Sequence, residues 1–212
     1  MNAYNTVLKA GCDEVVIQKS RFIGYACPCD TEEDALAFIR RIREKHRDAR
    51  HHCYAYVIGQ NKGIMRYSDD GEPGGTAGLP IISVMNHSDL VNCCVVVVRY
   101  FGGILLGTGG LVRAYTEGCK IALRAACACR MEWTDYTLCE VPYSAWDMVR
   151  HAAGSLPVRL EQIEFGTAVC FRLLTRTADT QTALETLQQV SGRQLEILPE
   201  DAGYENWALE TE

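Results

Sequence analysis

The stretch VNCCVVVVRYF, Val91 to Phe101, decides how the first part of this chain folds. It is an almost continuous run of apolar, largely β-branched residues, too short for a membrane span and with no alternation of polar positions. Such a run fits a central strand buried on both faces, which requires packed layers above and below it. Working outward, GGILLGTGGLVRAY follows directly, and the chain enters a helix expected over about Leu111 to Cys129. Upstream, SDDGEPGGTAGLP (Ser68–Pro80) places Asp69, Asp70 and Glu72 among glycines and prolines. Thr76 is positioned to cap a second helix, with Pro80 in its first turn.

Further toward the N-terminus, HHCYAYVIG reads as a strand and GIMRYSDDG as a strand entering a turn. Thr31 with Asp34 forms a short capping box. Leu36, Ile39, Ile42 and His46 follow at helical spacing, with Arg40, Arg41, Arg43 and Lys45 on other faces. VLKAGCDEVVIQKSRFIGYACPC supplies one or two strands. After Arg130 the pattern restarts as strand, helix, two strands about Gly166, helix and strand, a βαββαβ order of the split ferredoxin-like kind.

Composition agrees with two domains, expected as residues 1–130 and 131–212. The 212-residue chain carries a formal charge of −6, unevenly spread. Residues 1–130 hold 16 Lys and Arg against 13 Asp and Glu, whereas residues 131–212 hold 5 against 14. An anionic partner is therefore expected on the first domain. No apolar run approaches the roughly 20 residues of a membrane helix, and no signal peptide is apparent, so the reading is cytoplasmic without membrane association. The 11 cysteines are odd in number and contain no paired CxxC, which favours reduced core residues.

Two loops are candidates for chemistry. Strand end Arg99–Tyr100, the glycines Gly102, Gly103, Gly107, Gly109 and Gly110, and Arg113 suit an anion or nucleic-acid site at a helix N-terminus. Tight packing and positive-φ turns are the structural alternative. GxxxxGK[ST] fails for want of the lysine, and GxGxxG fails in spacing. His51, Asp69, Asp70, Glu72 and Thr76 form a possible accessory site. Mg²⁺ at Asp70 and Glu72 is the alternative to ordinary turn chemistry, but no metal or cofactor is expected. HExxH and GxSxG are absent, against zinc peptidase and serine hydrolase readings. No catalytic residue stands out.

KSRFIGYACPC, DARHHCYAY, YSDDGEPGGTAGLPI and VVVVRYFGGILLGTGGLVRAY, in this order, closely resemble the IMPACT/YigZ family over about residues 15–125. All the candidate site residues above match the family pattern, and Gly75 replaces another small residue. The resemblance implies an α+β fold. The first domain would have the fold of the second domain of a small-subunit ribosomal protein and of domain IV of elongation factor G, and the second would be ferredoxin-like. Eukaryotic relatives regulate translation by competing with a starvation-activated kinase for its ribosome-associated activator. That link is not expected here, because the additional recognition domain of those relatives has no counterpart in these residues. The expected function is binding of RNA or the ribosome, modulating translation or stress response. The alternative is an enzyme acting on a phosphorylated or nucleotide substrate at the acidic and glycine-rich loops. Two loops facing across a concave pocket would favour the enzyme; an open basic surface would favour binding.

Overall fold

The computed structural model describes residues 2–207. The chain divides into two compact units, one comprising Tyr4–Arg130 with Trp207, the other Met131–Asn206 with residues 2 and 3. The first contains β1 (Tyr4–Val7), β2 (Gly11–Ile17), β3 (Ser20–Pro28), α1 (Glu32–Lys45), β4 (His51–Ile58), β5 (Ile64–Ser68), α2 (Gly78–His87), β6 (Cys93–Tyr100) and α3 (Gly107–Ala125). Then follow β7 (Ala128–Val141), α4 (Tyr143–Ala153), β8 (Val158–Phe165), β9 (Val169–Arg176), α5 (Thr180–Val190) and β10 (Glu196–Trp207). The architecture is mixed α+β, with two antiparallel sheets and five helices among the described residues.

β6 is the middle strand of the order β2-β3-β6-β4-β5. Its side chains alternate between two cores, as a strand's period of two requires. Cys93, Val95 and Val97 face α2 and α3, with Ile81, Met85, Ala114, Tyr115 and Ala122. Cys94, Val96 and Val98 face α1, with Phe38, Ile39 and Ile42. The uninterrupted valine run is thus what a strand sandwiched between helices demands.

Thr31 does cap α1: its hydroxyl accepts from the Asp34 N–H, and Asp34 accepts from the Thr31 N–H. The helix turns Ala35, Phe38, Ile39 and Ile42 inward. Leu36, expected on that face, is exposed, because the sheet contact follows the Ala35–Phe38–Ile39–Ile42 stripe. His46, at the C-cap, is buried.

The segment from Val7 to Cys29 supplies two strands, β2 and β3, joined by a tight turn at Gln18 and Lys19, both at positive φ, with β1 preceding them. Two boundaries differ from the sequence reading. α3 starts four residues earlier than expected, so Gly109 and Gly110 lie inside the helix rather than in a positive-φ turn. It stops at Ala125, where Cys127 turns left-handed at φ 55° and leads into β7, overriding the helical preference of the alanines.

α3 lies close on the sheet because two glycines meet there. A Cβ at Gly24 would strike the Gly118 carbonyl oxygen, and one at Gly118 would come 2.8 Å from Val97 Cγ1. In the second unit the strands lie in the order β10-β7-β9-β8. Trp146 and Val149 of α4 and Leu187 of α5 share one core with Cys139, Val141, Phe171 and Leu173.

The glycines predict opposite responses. Gly24→Ala should lower stability by about 1–3 kcal/mol or more, since overpacking meets backbone. Gly109→Ala enters open space with helical backbone and should be neutral or stabilising by up to about 1 kcal/mol. Urea denaturation of both variants checks this; a destabilised Gly109→Ala would contradict the helical placement.

Candidate functional site

The strand register brings nearly every candidate residue to one end of the first sheet. His51 pairs with Arg99 across β4 and β6, and Arg21 pairs with Tyr100 across β3 and β6. The acidic loop leaves β5 at that end, because Ser68 lies opposite Tyr54 of β4. The β2–β3 turn, the C-terminus of α1 and the N-terminus of α3 converge there too.

The acidic loop is organised inward. Asp69 Oδ1 accepts from the N–H groups of Ala77 and Gly78, and Oδ2 accepts from Gly75, each at 2.9 Å. This carboxylate, not Thr76, caps α2. The Thr76 hydroxyl instead donates to Pro73 O at 2.7 Å. Burial alone would push the Asp69 carboxyl up, but its three N–H partners hold it below the ordinary value near 3.8.

Asp70, at φ 42°, accepts from Arg43 on Oδ1 and from the His52 N–H on Oδ2. Its carbonyl accepts from His51 Nδ1 at 2.9 Å. Glu72 is buried and accepts on Oε1 from Arg99 Nη1 at 2.8 Å and from the Tyr115 hydroxyl at 2.7 Å. Burial, then Cys53 and Glu72, drive the Tyr115 phenol far up, so it stays a donor. Burial also pushes the Cys53 thiol up, which removes it as a nucleophile at neutral pH.

Arg99 is therefore not an exposed anion ligand: it is buried, paired with Glu72, and lies over the rings of Phe22 and Phe101. The two loops the sequence singled out are joined through this ion pair. Asp70 is engaged by Arg43 and the His52 N–H, and Glu72 Oε1 by Arg99 and Tyr115. A cavity of about 830 Å³ lies elsewhere, between α2 and α3.

Tyr100 belongs to a network that local sequence reasoning missed. Its hydroxyl donates to Asp48 Oδ1 at 2.9 Å and so accepts from His46 Nδ1–H, also at 2.9 Å. His46 Nε2 is then the acceptor for the Tyr25 hydroxyl at 2.7 Å. This tautomer is neutral, consistent with burial, and secondarily Lys45 and His52, holding the imidazole below its ordinary range. His46 O accepts from His52 Nε2. The network ties the end of α1 to the end of β6.

The remaining glycines position the outer loop. A Cβ at Gly102 would collide with the Lys19 backbone, and the Gly102 N–H donates to Ser20 Oγ. Gly103 and Gly107 hold φ of 84° and 68° in open space. Between them Ile104 and Leu105 are exposed, the latter at 85%, next to exposed Phe101. α3 then opens with no side-chain cap and no acid in its first turn, and Arg113 Nε donates to Gly109 O. Tyr115 was findable: it falls on α3's inward stripe with Leu111, Gly118 and Ala122, and a buried hydroxyl needs an acceptor.

The first unit is a mixed α+β fold whose acidic and glycine-rich loops are knitted by a buried Glu–Arg–Tyr cluster, with basic and apolar side chains outside. Residues 18–123 match the Impact N-terminal domain family, and the chain belongs to the IMPACT family. The IMPACT family member YvyE of Bacillus subtilis (strain 168) is 51% identical over 115 residues, 54% of this chain and 53% of that relative. The IMPACT family member YigZ of Escherichia coli (strain K12) is 49% identical over 128 residues, 58% of this chain and 63% of the relative. The Protein IMPACT homolog of Saccharomyces cerevisiae is 32% identical over 98 residues, covering 45% and 38%. The matched segment thus spans about half the length of the first of these relatives. A crystal structure described as that of a hypothetical protein is 35% identical, with a TM-score of 0.58 over 95% of this chain and 98% of its own. Among the described residues no helix is long and apolar enough to cross a membrane.

Two stability tests follow. Removing either partner of the Glu72–Arg99 pair leaves a buried charge, so Glu72→Gln and Arg99→Met should each cost about 3–5 kcal/mol. The double variant should recover much of that loss; strict additivity in a denaturant double-mutant cycle would refute the coupling. Asp69→Asn tests the remote cap. The folded carboxyl is depressed, so the wild-type advantage should be full above pH of about 4 and vanish as pH falls through the folded value. A pH-independent difference would contradict the charged cap.

Proposed function

We propose that this protein binds RNA, free or in the ribosome, through the end of the first sheet where these loops meet. One observation carries the reading: Lys19, Arg47, Arg50 and Arg113 are exposed there with no ion-pair partner among the described residues, around an exposed aromatic and apolar loop. Arg40 and Arg41 extend the cationic surface along α1.

Phosphates take their binding energy from such cations through counterion release. The uncapped, acid-free start of α3 adds oriented N–H groups beside Arg113. Phe101 offers a ring on which an unpaired base can stack. The inward carboxylates keep acidic charge from opposing the ligand. Arg99 enters as the buried support of this loop, and Tyr100 through its tie to His46 and Asp48.

We take residues 1–130 as a domain with the fold shared by the ribosomal-protein domain and elongation factor G domain IV. We take residues 131–212 as a ferredoxin-like domain, supported by the βαββαβ element order and the strand order β10-β7-β9-β8. The excess of acids in the latter directs a polyanion to the former.

Fluorescence anisotropy with labelled single-stranded RNA across a salt series tests the proposal. Each lost phosphate contact should reduce the log–log salt slope by about 0.7, so Arg47→Ala/Arg50→Ala should lower it by about 1.4. Arg150→Ala, in the second unit, should leave it unchanged. Wild-type affinity and slope in the double variant, or no RNA binding by the native protein, would overturn the assignment.

A further inference from the structure

The cleft between α2 and α3 is not used by the proposed RNA surface, and its chemistry is of another kind. It is an open cleft of about 830 Å³, within the size range of small-molecule sites. Its floor is apolar and recessed: Leu90 and Leu123 are buried, and Val84 is half-buried beside them. One wall carries Lys120 and Arg124, four residues apart on α3 and hence on one face; His87 closes the α2 side. No Asp or Glu lines the cleft.

Lys120 has no ion-pair partner among the described residues. Arg124 pairs with Glu117 at 3.1 Å, but both side chains are well exposed, and such a pair is weak enough to yield to a ligand. The lining stripe of α3 runs from Val112 to Arg124, a helical rise of about 18 Å. The result is an elongated, mainly apolar cleft with positive charge at one side and hydroxyls from Ser83 and Thr116 along it.

We infer that this cleft binds a small amphipathic anion: an unbranched apolar chain ending in one carboxylate or phosphate group. The chain would lie over Val84, Leu90 and Leu123, and the head group would meet Lys120 and Arg124. A monomeric ligand fits better than a bilayer surface, because the apolar groups are recessed between helices. A bilayer would need them to protrude.

Isothermal titration of the full chain with decanoate, decyl phosphate and neutral 1-decanol tests this. Both anions should bind with one-to-one stoichiometry, and decanol at least about tenfold more weakly. Lys120→Ala should weaken the anions about tenfold and leave decanol unchanged; its exposed side chain makes loss of folding unexpected. As a second readout on the native protein, decanoate should slow iodoacetamide labelling of Cys127, which lines the cleft. Equal binding of decanol and decanoate would overturn the proposal. So would unchanged anion affinity in Lys120→Ala, unprotected Cys127, or binding only to anionic phosphatidylglycerol vesicles.

Discussion

Glu72 is an acid placed where water barely reaches, and the end of the first sheet is arranged around that fact. An unpaired buried carboxylate is too costly to keep charged. Arg99 at the end of β6 supplies a countercharge, and Tyr115 of α3 supplies a hydroxyl kept protonated by burial. Three separate pieces of chain thereby acquire one geometry. Asp69 extends the order by holding the first turn of α2, and its own carbonyl accepts from the Glu72 N–H. A desolvated ion pair adds little net stability over an apolar replacement, so its effect here is on position.

Fixing the acids inward leaves the outward surface to other residues. The loop after Tyr100 is held at its base by Gly102 against the β2–β3 turn and by Arg99 beneath Phe101. It can therefore present Phe101 and Leu105 to solvent without losing its place. The His46 network sets α1's cationic end beside it, with the imidazole neutral and hydrogen-bonded on both nitrogens. The glycine-rich and acidic runs look like a reaction centre in sequence, but their polar groups largely satisfy one another.

What was legible in sequence depended on range. Cys93–Tyr100 was readable because a strand buried on both faces has no polar period, and Thr31 because its cap partner is three residues away. Thr76 misled for the same reason: it stands at a local cap position, but Asp69, several residues upstream, occupies the helix N-terminus first. Arg99 misled because its partner lies 27 residues away and only the β5–β4–β6 register brings them together. A glycine run gives no helical signal, so the start of α3 at Gly107, before Gly109 and Gly110, is hidden in the sequence. The α2–α3 cleft had no sequence signature, since it exists only once the two helices pack side by side.

The acidic loop serves as internal support, and the proposed recognition surface is the basic, aromatic rim. Hydrogen–deuterium exchange of the native protein with and without single-stranded RNA tests this arrangement most directly. Slowed exchange on adding RNA should be concentrated in residues 43–50 and 101–113, with the amides of Gly75, Ala77 and Gly78 already protected and unchanged. Protection that instead appears across residues 69–78, or in the strands of residues 131–206, would contradict it.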